Sequence, residues 1–268
     1  MANVDDDIIS NNEPDYLLDR IGIKYGNNLK NGHQGGDKTS LIHNYLNDYQ
    51  KLFTNHGILR DSKLELYEIG IFEGRSLATW ADYFTNAKIY GLDINLKNYN
   101  ECLEELKSMG YDDSRVVINK GSSTDKIQMN KIYGEVPRFS IIIDDGNHMR
   151  NNQFLTFMIC FPLLLSNGIY IVEDTHHNES MLMFMMLSNY VANYDEVVEK
   201  TRKDRKRQKK HLKSIGISDV AIPRHDENVR ETHKLTSTFL YADRLDDYHI
   251  GLIESITFVR RRVIIIKK

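Results

Sequence analysis

The chain is poor in the features that mark exported, membrane-spanning or repetitive proteins. It has two cysteines, Cys102 and Cys160, in 268 residues. Neither has metal-site spacing around it, so a disulfide framework and a thiolate zinc site are both unexpected and a reducing, cytoplasmic setting follows. The first residues, Met1 to Asp7, are acidic and lack the basic and apolar regions of a secretory signal. No long hydrophobic run occurs. The densest apolar stretch, Phe154 to Leu165, reads as a buried helix. Spanning a bilayer takes roughly 20 residues, more than that stretch supplies. Charge of one sign is lacking too: 35 Lys and Arg against 38 Asp and Glu leave a net charge of −3. A dedicated nucleic-acid binder would carry a global basic field, and none is present. Internal repeats at solenoid or propeller periods are absent as well.

What is present is a globular composition, 41% hydrophobic and 27% charged. The length suits one large domain with appendages. Residues 1 to 36, rich in Asn, Asp and Gly, read as a loose arm. From Thr39 to Phe53, Leu41, Ile42, Tyr45, Leu46, Tyr49 and Phe53 recur at helical spacing. Short apolar runs then alternate with helical ones. Leu64 to Ile69, Ile89 to Leu92, Arg115 to Ile118, Phe139 to Ile143 and Gly168 to Val172 read as strands. Ser76 to Phe84, Tyr99 to Met109 and Asn152 to Leu165 read as helices. Such alternation implies right-handed crossovers, a doubly wound α/β fold with a mostly parallel sheet, and ligands at the carboxyl ends of the strands. Glu199 to Lys213 is a cationic run that breaks the alternation, and a basic lid or insertion is expected at about 195–235. Ile253 to Val259 and Val263 to Lys267, joined by Arg260 to Arg262, read as a terminal antiparallel hairpin. The division expected is 1–55 as arm and helical cap and 56–268 as the main domain.

The candidate chemistry sits at strand ends. Glu68-Ile-Gly70-Ile-Phe-Glu-Gly74-Arg-Ser76 follows the first strand and leads into a helix. Glycines there let a ligand approach the backbone, and a helix N-terminus favours an anionic group. The dinucleotide fingerprint GxGxxG is missing, and the spacing resembles motif I of class I methyltransferases. A turn that merely packs a helix on a strand is the alternative. Asp93 ends the second strand, where a carboxylate can accept hydrogen bonds from ribose hydroxyls or cap a helix. Gly121-Ser122-Ser-Thr-Asp125 follows the third, as a nucleoside contact or a plain polar turn.

Asp144-Asp145-Gly-Asn-His148 and Glu173-Asp174-Thr-His176-His177 each end an apolar strand. If those strands are neighbours, Asp145, Glu173 and Asp174 converge, and crowded carboxylates need a cation or protons to relieve their repulsion. An all-oxygen cluster suits Mg²⁺ or a similar hard cation. Separate exposure to solvent is the other reading. His148 stands beside the cluster, with an imidazole able to take a proton near neutral pH.

The combination EIGIFEG, YGLD, IIIDDGNH and FPLLLSNGIYIVEDTH, together with Asp37-Lys38-Thr-Ser-Leu-Ile-His43-Asn-Tyr45, resembles the metal-dependent sugar O-methyltransferases of the mycinamicin (macrolide) type. The cephalosporin hydroxylase and rhamnosyl O-methyltransferase group is related. The resemblance spans roughly Lys24 to Asp174 and implies a Rossmann-like class I methyltransferase. It implies Mg²⁺ held by Asp145, Glu173 and Asp174, with His148 as general base and Asp145 sharing in catalysis. It also implies S-adenosylmethionine held by Glu68, Gly70, Gly74, Ser76, Asp93, Gly121 and Ser122, with the Lys38 to Tyr45 segment closing over it. Where that family has Ser in DDGSH, this chain has Asn147. The acceptor implied is a hydroxyl of a sugar on a natural product, surface polysaccharide or nucleotide-sugar precursor, phosphate-bearing acceptors included, in a homo-oligomeric enzyme without membrane attachment. A catechol-like hydroxyl is the alternative acceptor. A non-catalytic module binding an anionic partner through residues 199–213 is the alternative of another class.

Overall fold

The computed structural model describes residues 16–26, 37–134, 138–149, 152–175, 178–192 and 252–268. Seven strands form one sheet: β1 (Glu65–Ile69), β2 (Lys88–Asp93), β3 (Val116–Lys120), β4 (Phe139–Asp144), β5 (Leu164–Val172), β6 (Ile253–Val259) and β7 (Arg262–Lys267). Their order is β3-β2-β1-β4-β5-β7-β6. The first five run parallel, and β7 joins β5, and β6 joins β7, in antiparallel register. This is the Rossmann-like, doubly wound α/β class read from the alternation, closed by the expected C-terminal hairpin. Parallel strands covered on both faces carry near-continuous apolar runs, as β4 does with Phe139 and Ile141 to Ile143 fully buried. Sequence order reverses at β1, which lies between β2 and β4. Ligand crevices of open α/β sheets form at that position, at the carboxyl ends of the strands.

The chain divides into two compact units. One takes in Met1–Lys63, Glu73–Ala87 and Asn98–Arg115. Its described helices are α1 (Leu17–Gly26), α2 (Tyr45–Asn55), α3 (Arg75–Tyr83) and nearly all of α4 (Lys97–Ser108). Buried aromatics fill it: Tyr49 meets Trp80 at 6.4 Å between ring centroids and Phe53 meets Phe84 at 5.7 Å. The Arg115 guanidinium donates to the carbonyls of Ala81 and Phe84 at the end of α3, satisfying acceptors the helix leaves open, and to that of Ala87 before β2. The other unit holds the whole sheet with α5 (Lys126–Tyr133), α6 (Asn152–Cys160) and α7 (Asn178–Ala192). Tyr67, Tyr90, Tyr133 and Phe139 interlock in its core beside Phe157, Phe161 and Tyr170.

Several elements depart from the sequence reading. The arm expected at 1–36 contains α1, whose Leu18, Ile21 and Tyr25 are buried on one face. The helix expected from Thr39 begins at Tyr45, because Asn44 is left-handed (φ 58°) and residues 37–44 form a closed turn. In that turn Asn44 N–H donates to Thr39 O, and Lys38 O accepts from Tyr45 and Leu46. The helix expected to reach Leu165 stops at Cys160. Pro162 has no N–H to continue it, one 3₁₀ turn spans Phe161–Leu163, and β5 begins at Leu164. Among the described residues no helix is long and apolar enough to cross a membrane.

Candidate functional site at the strand ends

Four loops meet at the carboxyl end of the sheet, and the glycine turn after β1 organises the first. Gly70 is left-handed (φ +83°), and a Cβ there would collide with the Asp145 carbonyl oxygen. Only glycine lets the turn after β4 pass so close. Glu68 is fully buried in β1. Asp93, ending β2, accepts the N–H groups of Ile71 and Phe72 on Oδ2 (3.0 and 3.1 Å) and that of Asn95 on Oδ1 (2.9 Å). Its first task is therefore to hold the glycine turn in shape. Gly121 donates its N–H to Asp93 O, and Ser122 donates its N–H to the Gln128 carboxamide, so the third loop is tied back as well. The Ser122 hydroxyl lies 3.0 Å from that of Thr124.

The loops after β4 and β5 bring together the acidic groups. Asp144 pairs with Val172 in register, and the Glu173 N–H donates to Asp144 O. Asp145, His148 and Asp174 each offer a ligand atom, and those atoms lie within 4.8 Å of one another. His148 Nε2 is 3.8 Å from Asp145 Oδ1. Asp174 is almost buried and left-handed, with φ at 51°. That conformation costs a non-glycine residue on the order of 1–3 kcal/mol and clusters at functional sites. The Glu173 side chain is buried, and its backbone carbonyl accepts a 2.6 Å hydrogen bond from Gln153 Nε2. It is the histidine, rather than Glu173, that stands with Asp145 and Asp174 in the trio.

Asp144 answers the charge problem in a second way. Burial, with the neighbouring Asp145 charge adding to it, pushes its carboxyl up to about 8 against the pull of the Gly146 N–H. It is a neutral acid at neutral pH, so the turn carries fewer negative charges than its sequence suggests.

Lys38, Gly74 and Ser76 lie in the helical unit. Lys38 is buried in the closed turn, Ser76 is half-buried in the first turn of α3, and Gly74 precedes α3 at φ +80°, where a Cβ would strike the Tyr99 ring. His176, His177 and the basic run at 199–213 lie outside the described residues.

Sequence reasoning passed over three features of this edge. Gln153 is buried between two loops, and its only mark in the sequence is a polar side chain opening an otherwise apolar helix. Phe72, Ile94 and Met149, one on each of three loops, are 58, 70 and 67% exposed. Each directly follows or adjoins a motif, and that adjacency is a usable signal for a ligand wall. Finally, the Arg260-Arg261 turn of the hairpin is pinned beside the site by the Thr175 N–H donating to Arg261 O (2.9 Å).

No family model matches the chain. It is similar to two curated sugar O-methyltransferases. One is the 8-demethyl-8-(2-methoxy-alpha-L-rhamnosyl)-tetracenomycin-C 3'-O-methyltransferase of Streptomyces olivaceus, 30% identical over 145 residues, which are 52% of this chain and 34% of that protein. The other is the mycinamicin VI 2''-O-methyltransferase of Micromonospora griseorubida, 27% identical over 144 residues, 51% of this chain and 33% of that protein. The chain thus matches about a third of these relatives' length. Among solved structures it resembles the MycE methyltransferase of the mycinamicin pathway in complex with Mg, SAH and mycinamicin VI. The TM-score is 0.54 at 20% identity, over 96% of this chain and 55% of that one. A second crystal form with Mg and SAH gives a TM-score of 0.58 at 18% identity. This likeness establishes the fold, a Rossmann-like α/β sheet that is mostly parallel with an antiparallel C-terminal pair.

Proposed function

We propose that the chain is an S-adenosylmethionine-dependent O-methyltransferase that works with Mg²⁺ on a hydroxyl of a sugar-containing acceptor. The observation that carries this reading is the meeting of Asp145, His148 and Asp174 at the carboxyl ends of the neighbouring strands β4 and β5, with Asp145 on the loop packed against the Gly70 turn. The donor set fits the groups. Two carboxylates on neighbouring strands suit a hard divalent cation with positions left for substrate oxygens. Asp144 Oδ2 beside them is buried and without a hydrogen-bond partner among the described residues. The similarity to a rhamnosyl-tetracenomycin-C 3'-O-methyltransferase and to the mycinamicin VI 2''-O-methyltransferase agrees with it.

When bound, the sulfonium cofactor supplies the methyl group and the cation supplies Lewis acidity that eases loss of the hydroxyl proton. The chain's own part is binding, orientation and proton handling. Asp145 and Asp174 would hold the cation, with Glu173 beside Asp174 on the turn after β5. Asp93 has about one acceptor position left beyond its three backbone bonds, for a ribose hydroxyl. Glu68, Gly70, Gly121 and Ser122 shape the cofactor side, and Phe72 and Ile94 provide apolar surface beside it. His148 takes the proton from the acceptor hydroxyl, a step whose loss costs on the order of 10²–10⁴-fold in rate. No covalent enzyme intermediate is needed, because positioning and charge stabilisation supply the acceleration.

The acceptor is a small glycoside or sugar precursor in the cytoplasm, phosphate-bearing ones included, and the enzyme acts as a homo-oligomer. Offering the chain cofactor, Mg²⁺ and a panel of rhamnosides, macrolide glycosides and sugar nucleotides should yield a product heavier by one CH₂. The His148→Ala chain should bind cofactor and lack that product. Failure of the wild-type chain to bind S-adenosylmethionine in equilibrium dialysis would overturn the proposal.

A further inference from the structure

The hairpin of β6 and β7 turns at Arg260 and Arg261, between the paired Val259 and Arg262. β7 runs antiparallel to β5, so its first residues lie against the last of β5, and the outermost pair is Val172 with Val263. One residue further out on each strand come Glu173 and Arg262, both buried. The Thr175 N–H donates to Arg261 O at 2.9 Å, which fastens the tip one residue from Asp174. Arg260 is exposed and Arg261 half-buried. The second central residue of this turn is left-handed, a conformation that favours Gly or Asn and strains any larger side chain. The chain nevertheless has Arg261 there, at φ 59°. The Thr175 hydroxyl, in a residue 2% exposed, has no hydrogen-bond partner among the described residues, so the junction of the two strands holds a donor still to be satisfied.

Consecutive arginines beside a cation-binding site repel one another and the cation. Guanidiniums gathered round a divalent cation are the usual setting of a phosphate, whose oxygens the metal and the planar forks share. A neutral sugar gives them no charge to meet. Resting on the methyltransferase reading, we propose that Arg260 and Arg261 form a phosphate-binding subsite, and that the acceptor is a sugar carrying a phosphate ester rather than a neutral glycoside. The phosphate oxygens accept from the two guanidiniums at the hairpin tip, while the sugar hydroxyl lies at the site of Asp145 and Asp174. The strain at Arg261 is what it costs to present a guanidinium where glycine would make the easier turn. A sugar phosphate and a nucleotide-linked sugar share the chemistry that the tip recognises.

Calorimetry on the full-length chain, with S-adenosylhomocysteine and a fixed excess of Mg²⁺, tests this without turnover. The probes are methyl glucoside, glucose 1-phosphate and UDP-glucose. At least one phosphorylated probe should bind about tenfold or more tighter than methyl glucoside, by a margin that shrinks as salt rises. UDP-glucose ahead of glucose 1-phosphate assigns the subsite to a nucleotide-linked sugar, and the reverse order to a sugar phosphate. Arg260→Gln combined with Arg261→Gln should erase the margin and leave S-adenosylhomocysteine binding in place. Arg261→Gly separates recognition from folding, because glycine suits the left-handed turn. Its urea midpoint should hold or rise while the phosphate margin shrinks. A lower midpoint with the margin intact would mark the Arg261 side chain as structural and overturn its part in the subsite. Equal affinity for neutral and phosphorylated sugars, no binding of either phosphorylated probe, or a margin that survives the double substitution overturns the proposal as a whole. A chain that binds no S-adenosylmethionine yet keeps an arginine-dependent preference for phosphate defeats the methyltransferase reading and leaves the subsite standing.

Discussion

At the residue scale the site is defined by groups whose environment changes what their sequence identity promises. Asp144, Asp145 and Asp174 look alike in sequence, yet burial makes the first a neutral acid while the other two face His148. No pattern of residue types reports that difference, because it depends on which oxygen reaches an N–H and which reaches nothing. The opposite end of the sheet, where β5 begins, gives a pH test away from the cation. Lys267 is buried in β7, donates to Leu164 O at 2.6 Å, and has its pKa lowered by burial from the usual 10.5. The unfolded chain therefore binds this proton more tightly, and stability rises with pH through the lowered value until about 10.5. The wild type should gain stability relative to Lys267→Met between neutral pH and that limit, as read by urea midpoints. A difference constant in pH would show that the buried amine is not strained. In the helical unit, the buried Trp80 packs on Tyr49. Trp80→Ala should cost about 3–5 kcal/mol by opening a cavity there, as equilibrium unfolding would show.

At the scale of elements, much was legible because period and burial agree. The parallel strands were visible as short apolar runs, and the hairpin as two such runs around the arginines. What escaped had a local cause. The β5 start at Leu164 was hidden because Phe154 to Leu165 is apolar throughout, and periodicity cannot separate a buried helix from a buried strand. Pro162 was the available signal. The late start of α2 rests on the left-handed Asn44, a choice made by the hydrogen bonds of the 37–44 turn rather than by hydrophobic spacing. Convergence of Asp145 and Asp174 was legible, since each ends a strand that pairs with its neighbour. The place of His148 beside Asp145 was legible as well; that its ring, rather than the Glu173 carboxylate, completes the close trio was not, because it depends on the path of one loop. Gly70→Ala tests that packing, because the left-handed backbone and the Asp145 carbonyl leave no room for a Cβ. Stability should fall by about 2 kcal/mol or more. Unfolding in urea checks it, and a negligible loss would mean the β4 loop is not seated on the turn.

For the whole molecule, the carboxyl ends of five parallel strands carry every group of the sheet-bearing unit that the proposed chemistry needs. Binding there should stabilise the fold by mass action, about 2.7 kcal/mol at a ligand concentration one hundred times Kd. Thermal midpoints should therefore rise with S-adenosylhomocysteine and rise further with Mg²⁺. The most direct test of the central claim is calorimetric titration of Mg²⁺ into the full-length chain with S-adenosylhomocysteine present, comparing the wild type with Asp145→Asn/Asp174→Asn. The account expects a saturable cation site in the wild type that weakens at least about tenfold in the variant while S-adenosylhomocysteine binding persists. Equal Mg²⁺ affinity in the two chains would contradict it.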